Sequence, residues 1–506
     1  MTPRPRHGLI SLVILLCMVG AATMSAANSS QVSAPRAPSS DWVRIENQRA
    51  GTSSWQIPAT AKHGISGFAD KVTAQRGADV RLYVDTTADS FKVRAYRMGY
   101  YQGLGGRKIW RSDSIPGDNQ PDPTTTPVTN MVETAWQPST TMHIRKNWPE
   151  GTYLLKLISS AGGQAYIPLI VRNDASHAAL VIQQQVTTWQ AYNKWGGRSL
   201  YVGPDGSFGA RSRVVSFDRP YGGRGAGGLL TSLPFVVLAE KQGLDVTYSS
   251  DLDLHARSNL VRNHRALISL DHDEYWSTGM RDAATAARAD GVNIAFLGAN
   301  AIYRHIRLEP SPLGDDRHVV AYKDADEDPL FGVNNAEVTV NWRAAPVSKP
   351  ESELLGAMYE CNPVHADMVV HDADQWVFKD TGLHDGARIP GAVDMEYDRI
   401  FPNAPTPGSI QVMAHSPLTC KGQSRAADMT YYTTRDDAGV FDIGSQGWVK
   451  TLRCFDPVRS DTCDKRAVRI TLNIMRAFAK GPAGVAHPSV PNAASFGYVL
   501  TDATDP

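Results

Sequence analysis

The chain has 506 residues, 51 Lys+Arg against 51 Asp+Glu and 42% hydrophobic residues. This length allows several domains and a large core. Zero net charge argues against a polyanion or a charged membrane surface as principal partner, so no nucleic-acid role is expected.

The amino terminus reads Met1-Thr-Pro-Arg-Pro-Arg-His, then an apolar run from Gly8 to Ala22 and small residues at Ser25-Ala26-Ala27. A basic start, a short apolar stretch and a small-residue cleavage site predict a secretory signal peptide over 1–27. The run is too short for a membrane span. Removal of the signal therefore leaves no transmembrane segment and a secreted or periplasmic protein. Cys17 goes with it, leaving Cys361, Cys420, Cys454 and Cys463. An even count in an exported chain predicts two disulfides. Cys454 and Cys463 are close enough to close a small loop, which leaves Cys361 for Cys420. Zinc ligation is the alternative, but no C-x-x-C pair supports it.

Residues 28–40 are small and polar and read as a flexible leader. From 41 to 173 the signals are short and β-like. Asp79–Asp85 and Phe91–Arg97 alternate, and Gly151–Leu157 and Ala165–Val171 flank a Gly-Gly turn. An immunoglobulin-like β-sandwich is expected there. After His177 the grammar changes. Ala179–Ile182, Asp245–Tyr248, Ala266–Leu270 and Asn293–Leu297 read as strands. Leu229–Gln242 and Ser277–Ala289 read as helices, the first stopped by Gly243 and the second capped by Ser277. This alternation predicts an α/β domain over 177–484, with a parallel sheet covered by helices on both faces. Residues 309–437 are irregular and read as a large insertion over that sheet. A strand at Gly439–Ile443, a closing helix at Ala467–Ala479 and a tail over 485–506 follow.

Three loops leave the carboxyl ends of predicted strands, where α/β sheets collect their ligands. They carry Thr187–Gly197 with Tyr192, then His272-Asp273-Glu274-Tyr275, then Gly298-Ala299-Asn300. His272 and Glu274 are two apart, so an extended backbone points both the same way. Each residue also has a plain reading. Tyr192 lies between Trp189 and Trp195 and could be packing. Glu274 could favour the positive end of the next helix. His272 could be structural and Asn300 a turn residue. The loop Gly222-Gly-Arg-Gly-Ala-Gly-Gly228 resembles a phosphate loop but lacks the Gly-Lys-Ser/Thr ending, and reads as a mobile loop. Asp251-Leu-Asp-Leu-His255 reads as the turn after a strand. No Gly-x-Ser-x-Gly elbow occurs.

Four segments carry a family resemblance: Thr188–Tyr201, Ser216–Tyr221, Asp271–Ser277 and Phe296–Asn300. Over roughly 177–484 the chain resembles the carboxy-terminal region of the N,N-dimethylformamidase large (beta) subunit. That resemblance implies a glutamine-amidotransferase-like α/β domain and hydrolysis of a linear amide. It implies a mononuclear iron held by two tyrosines and a glutamate. In this sequence Glu274 looks like the carboxylate ligand and Tyr192 one tyrosine. Tyr275 is taken as the second, with Tyr153, Tyr201 and Tyr221 also eligible. His272 and Asn300 look like orienting groups, and Glu396 in Asp394–Asp398 like the catalytic carboxylate. Amidotransferases with a similar sheet keep a Cys after a central strand, but the matching turn here, Gly298–Asn300, has no thiol. The resemblance also implies a small partner subunit. Self-association into a homo-oligomer stays open.

The chemistry is coherent. Hard anionic oxygens suit iron better than the N/S sets zinc favours. An ion so held polarises a carbonyl or acidifies water, and burial would tune Glu396 upward as a base. The rival expectation is a non-catalytic envelope or carbohydrate-binding protein with a degenerate amidotransferase-like domain. A glycan-directed hydrolase is a third, favoured if Trp189 and Trp195 line an open groove.

Overall fold

A computed structural model describes residues 41–502. The expected signal peptide and leader, 1–40, lie outside the described residues. Among the described residues no helix is long and apolar enough to cross a membrane. All described residues belong to one compact unit.

The described residues open with a short helix, Trp42–Asn47, where the sequence had suggested only β structure. Strands between 66 and 172 then form two sheets. One has the strands Ser66–Ala69, Asp79–Asp85 and Thr140–His143. The other is built on Ser90–Met98, Gly151–Ser159 and Gln164–Arg172. They face each other across one apolar core that includes Leu82, Val84, Val93, Leu155 and Ile167. The second sheet is covered on its other side too. Leu154, Tyr166 and Ile170 pack into the core of the α/β region. Burial on both faces explains why Gly151–Ser159 shows no polar alternation.

The α/β region is a seven-stranded sheet. Its order is Val246–Ser250, Leu180–Gln184, Ala266–Asp271, Asn293–Gly298, Gly439–Asp442, Gln423–Thr433, Gln411–Cys420. The first five strands run parallel, and Gln423–Thr433 pairs antiparallel with both its neighbours, Gly439–Asp442 and Gln411–Cys420. The sheet is therefore mixed, not purely parallel as expected. The hairpin 411–433, taken from sequence as inserted material, is its edge. Hydrophobic residues alternate across it. Leu180, Ile182, Ile268, Leu270 and Leu297 face helices Leu229–Lys241 and Lys465–Phe478. Val181, Leu267, Ile294 and Phe296 face helix Thr278–Ala289. Ser277 caps that helix, its Oγ accepting from the Met280 amide. Gly243 ends Leu229–Lys241 in the left-handed region.

Two features place the site. The chain leaves Leu180–Gln184 toward the edge strand Val246–Ser250, then returns to Ala266–Asp271 on the other side. The loops after Gln184 and Asp271 part at this reversal, where a crevice opens in such sheets. The paired strands Met358–Val369 and Arg388–Arg399 then bring the central part of the chain over it. Both disulfides form as expected: Cys454–Cys463 closes its small loop, and Cys361–Cys420 ties this hairpin to the edge strand. Asp251–Ala256 is a short helix with a capping box from Ser250 and Asp253, an ordinary strand-to-helix corner.

Candidate active site

The first loop supplies two phenols. Helix Val186–Ala191 ends at Tyr192. Gly196 and Gly197, both at positive φ, then turn the chain back. The Tyr201 ring lands on the Tyr192 ring, centroids 4.4 Å apart. The second loop supplies the carboxylate. Thr188 Oγ1 accepts from the Glu274 and Tyr275 amides at 3.1 and 3.4 Å, so one hydroxyl holds both loops in register. Below it, Asp273 accepts from Gln183 and Ser269 at 2.7 and 2.8 Å.

Three side chains converge as a result. Tyr192 Oη lies 2.8 Å from Glu274 Oε2, and Tyr201 Oη lies 2.7 and 2.9 Å from Oε1 and Oε2. The two phenol oxygens are 2.9 Å apart. Tyr275 is fully buried, and its hydroxyl reaches Tyr201 at 2.8 Å rather than Glu274. Tyr201, left among several eligible tyrosines by the sequence, thus stands between Tyr275 and the carboxylate. Tyr153 is remote, hydrogen-bonded to the Pro149 carbonyl. Tyr221 sits in the loop beyond Trp189. Burial, then the Glu274 charge, pushes the phenols of Tyr192, Tyr201 and Tyr275 upward. They stay protonated unless a cation takes the place of those protons.

A second cluster abuts the first. His272 Nε2 is 3.4 Å from Glu274 Oε2 and 3.3 Å from Glu396 Oε2. Asn300, at positive φ on the turn after Asn293–Gly298, donates to Glu396 Oε2 at 2.6 Å. Its Nδ2 is 3.2 Å from His272 Nε2. Asn362, which the sequence did not single out, donates to Glu396 Oε1 at 2.6 Å. Burial opposes charge on His272, but the Glu396 hydrogen bond and the Glu274 charge outweigh it and raise the imidazole to about 9. Glu396 moves the other way. Burial raises it, but His272, Asn362 and Asn300 together hold it below the usual carboxylate range. The expectation that burial tunes it upward therefore fails, because three donors outweigh desolvation. Behind Asn300, Asp398 Oδ1 accepts from its backbone amide at 2.9 Å. Burial lifts Asp398 to about 7.

Two basic side chains frame the phenols. Arg304 Nε lies 3.5 Å from Glu274 Oε1. Lys323 is buried with its Nζ 3.2 Å above the centroid of the Tyr201 ring and no hydrogen-bond partner among the described residues. Desolvation drives its amine well below the ordinary lysine value. No sequence signal marked either, since both lie in strands and turns far from the three loops.

The chain belongs to the family described as N,N-dimethylformamidase beta subunit-like, C-terminal, which matches residues 92–464. The match begins inside the second sheet of the amino-terminal region, well before the expected boundary near 177. No curated protein matches the chain. Among solved structures, it is similar to a cycloisomaltooligosaccharide glucanotransferase of Paenibacillus sp. complexed with cycloisomaltoheptaose. The identity is 7%, the coverage 62% of each chain and the TM-score 0.17.

Proposed function

We propose that the protein is an exported, iron-dependent hydrolase of a C–N amide bond. What carries the reading is the convergence of two phenols and one carboxylate, with oxygens 2.7–2.9 Å apart, beside an ordered Glu-His-Asn cluster. The donor set fits the ion: Tyr192, Tyr201 and Glu274 are hard oxygen donors of the kind ferric iron prefers. They would hold it, and the bound ion would supply Lewis acidity toward a carbonyl or water.

The chain's own residues would do the rest. Glu396, fixed by Asn300 and Asn362, faces the position of an attacking water as a carboxylate and takes its proton. His272, charged at neutral pH, donates a proton to the departing amine nitrogen. Asn300 holds Glu396 in place through its carboxamide. Export is supported by the two disulfides and the apolar amino-terminal run. The family name implies a partner subunit. The strand order and its reversal support an amidotransferase-like sheet, and the two facing amino-terminal sheets an immunoglobulin-like sandwich.

The test is metal content, the visible phenolate-to-iron absorption band, and amine release from N,N-dimethylformamide. About one iron per chain is expected. Glu274→Ala and Tyr201→Phe should each abolish both metal and band, while Tyr275→Phe keeps them. A metal-free native protein, or iron content unchanged by Glu274→Ala, rejects the reading.

A further inference from the structure

A cavity of about 680 Å³ opens directly off the two clusters. Its inner wall is Tyr192 and His272. Its sides are Trp189, Tyr221, Ala226 and Leu230. We infer that the substrate is an amide bearing a flat, uncharged ring of aromatic size, seated in this cavity while its carbonyl meets the clusters; the inference rests on the amidase reading.

Size is the first argument. Cavities of roughly 300–1,000 Å³ enclose drug-sized molecules, whereas a dimethylamide has only a few heavy atoms and would leave most of this space to water. Shape is the second. The glycine loop packs closely against two rings. A Cβ at Gly228 would stand 2.3 Å from the Trp189 indole. One at Gly227 would stand 3.2 Å from Trp189 and 3.5 Å from Tyr221. Only glycine allows that approach, and it holds both rings as walls of a slot. The loop is itself anchored. Arg224 donates to the carbonyls of Ala61, Lys62 and Gln164, and a Cβ at Gly225 would meet the Tyr166 carbonyl at 2.1 Å. It is a built wall, not the mobile loop its composition suggested. Charge is the third. The lining carries both signs, the half-buried Asp271 against Lys194 and Arg224, so it favours neither an anionic nor a cationic substituent.

The experiment compares N-benzylformamide with N,N-dimethylformamide on the iron-loaded protein, and measures N-benzylformamide binding by calorimetry. Burying the ring should raise kcat/KM by about tenfold or more over the dimethylamide. Ala226→Trp fills the slot and should remove that advantage while leaving dimethylformamide turnover within about twofold. Leu230→Ala, which removes a wall without crowding the loop, should weaken benzylformamide binding several-fold and spare the smaller amide. Equal kcat/KM for the two amides, or equal loss of both in Ala226→Trp with the fold intact, overturns the inference. If neither amide is cleaved but benzylformamide still binds the native protein and not Ala226→Trp, the amidase reading falls and the ring site stands.

Discussion

Asn300 is gripped twice from the strand Arg388–Arg399: its side chain by Glu396 and its backbone amide by Asp398. A residue at φ 58° is strained unless its surroundings hold it there. Asp398 therefore matters as the group that fixes the turn carrying Asn300. Its carboxyl is raised to about 7 in the fold, against 3.8 for an unperturbed aspartate. The folded state thus binds more protons than the unfolded chain between these values. Its stabilising contribution is full below about pH 4 and is lost as pH rises toward 7. Asp398→Asn should flatten that part of the stability-against-pH profile, read by thermal denaturation at stepped pH. Asn300→Ala should cost roughly 10²–10³ in kcat, as removal of one preorganised polar group does elsewhere. Lys323→Met removes an enclosed amine with no acceptor, so the variant should melt no lower than the native protein. In the iron-loaded form its phenolate band should shift, because the amine over the Tyr201 ring is gone. An unshifted band would show that Lys323 does not act on that phenol.

At the scale of elements, the hairpin of Met358–Val369 and Arg388–Arg399 brings Asn362 and Glu396 over the sheet. Cys361–Cys420, closing 59 residues, ties it down one position from Asn362. The double variant Cys361→Ala/Cys420→Ala should lose about 2–4 kcal/mol by denaturant titration. It should also lower kcat more than iron content, since Tyr192, Tyr201 and Glu274 stand on other segments. The parts legible beforehand were those with local causes. Ser277 announced a helix start and Gly243 a helix end. The break after Leu270 announced a site, because apolar strand and polar loop meet there. Tyr201 stayed one of several because its place depends on the Gly196-Gly197 reversal, which composition does not fix. Lys323 and Asn362 were illegible, since nothing within a few residues of either marks chemistry. The edge hairpin 411–433 was misread because its pairing partner, Gly439–Asp442, follows it in the chain.

For the whole molecule, the amino-terminal sheets and the α/β region share a buried ion pair. Arg97 reaches Glu240 at 3.0 Å, with Tyr101 on the arginine, Tyr248 on the glutamate and Asn47 beside it. Both charges are fully buried. Such a pair is costly to break and much less so to replace. Glu240→Gln should destabilise by about 3–5 kcal/mol and let the two regions melt separately in calorimetry. Arg97→Met/Glu240→Leu should recover most of that loss. A single unchanged transition in Glu240→Gln would show that the apolar contact alone couples them.

The two clusters draw on distant stretches of chain, 82 residues separating Tyr192 from Glu274 and 96 separating Asn300 from Glu396. No shorter piece of nascent polypeptide can offer a complete set of ligands. On the proposed reading, a chain threaded unfolded through a secretory pore would select its ion from the fluid on the far side, where folding finishes. Which metal occupies the protein would then reflect the mineral content of that space as much as the preference of its oxygens.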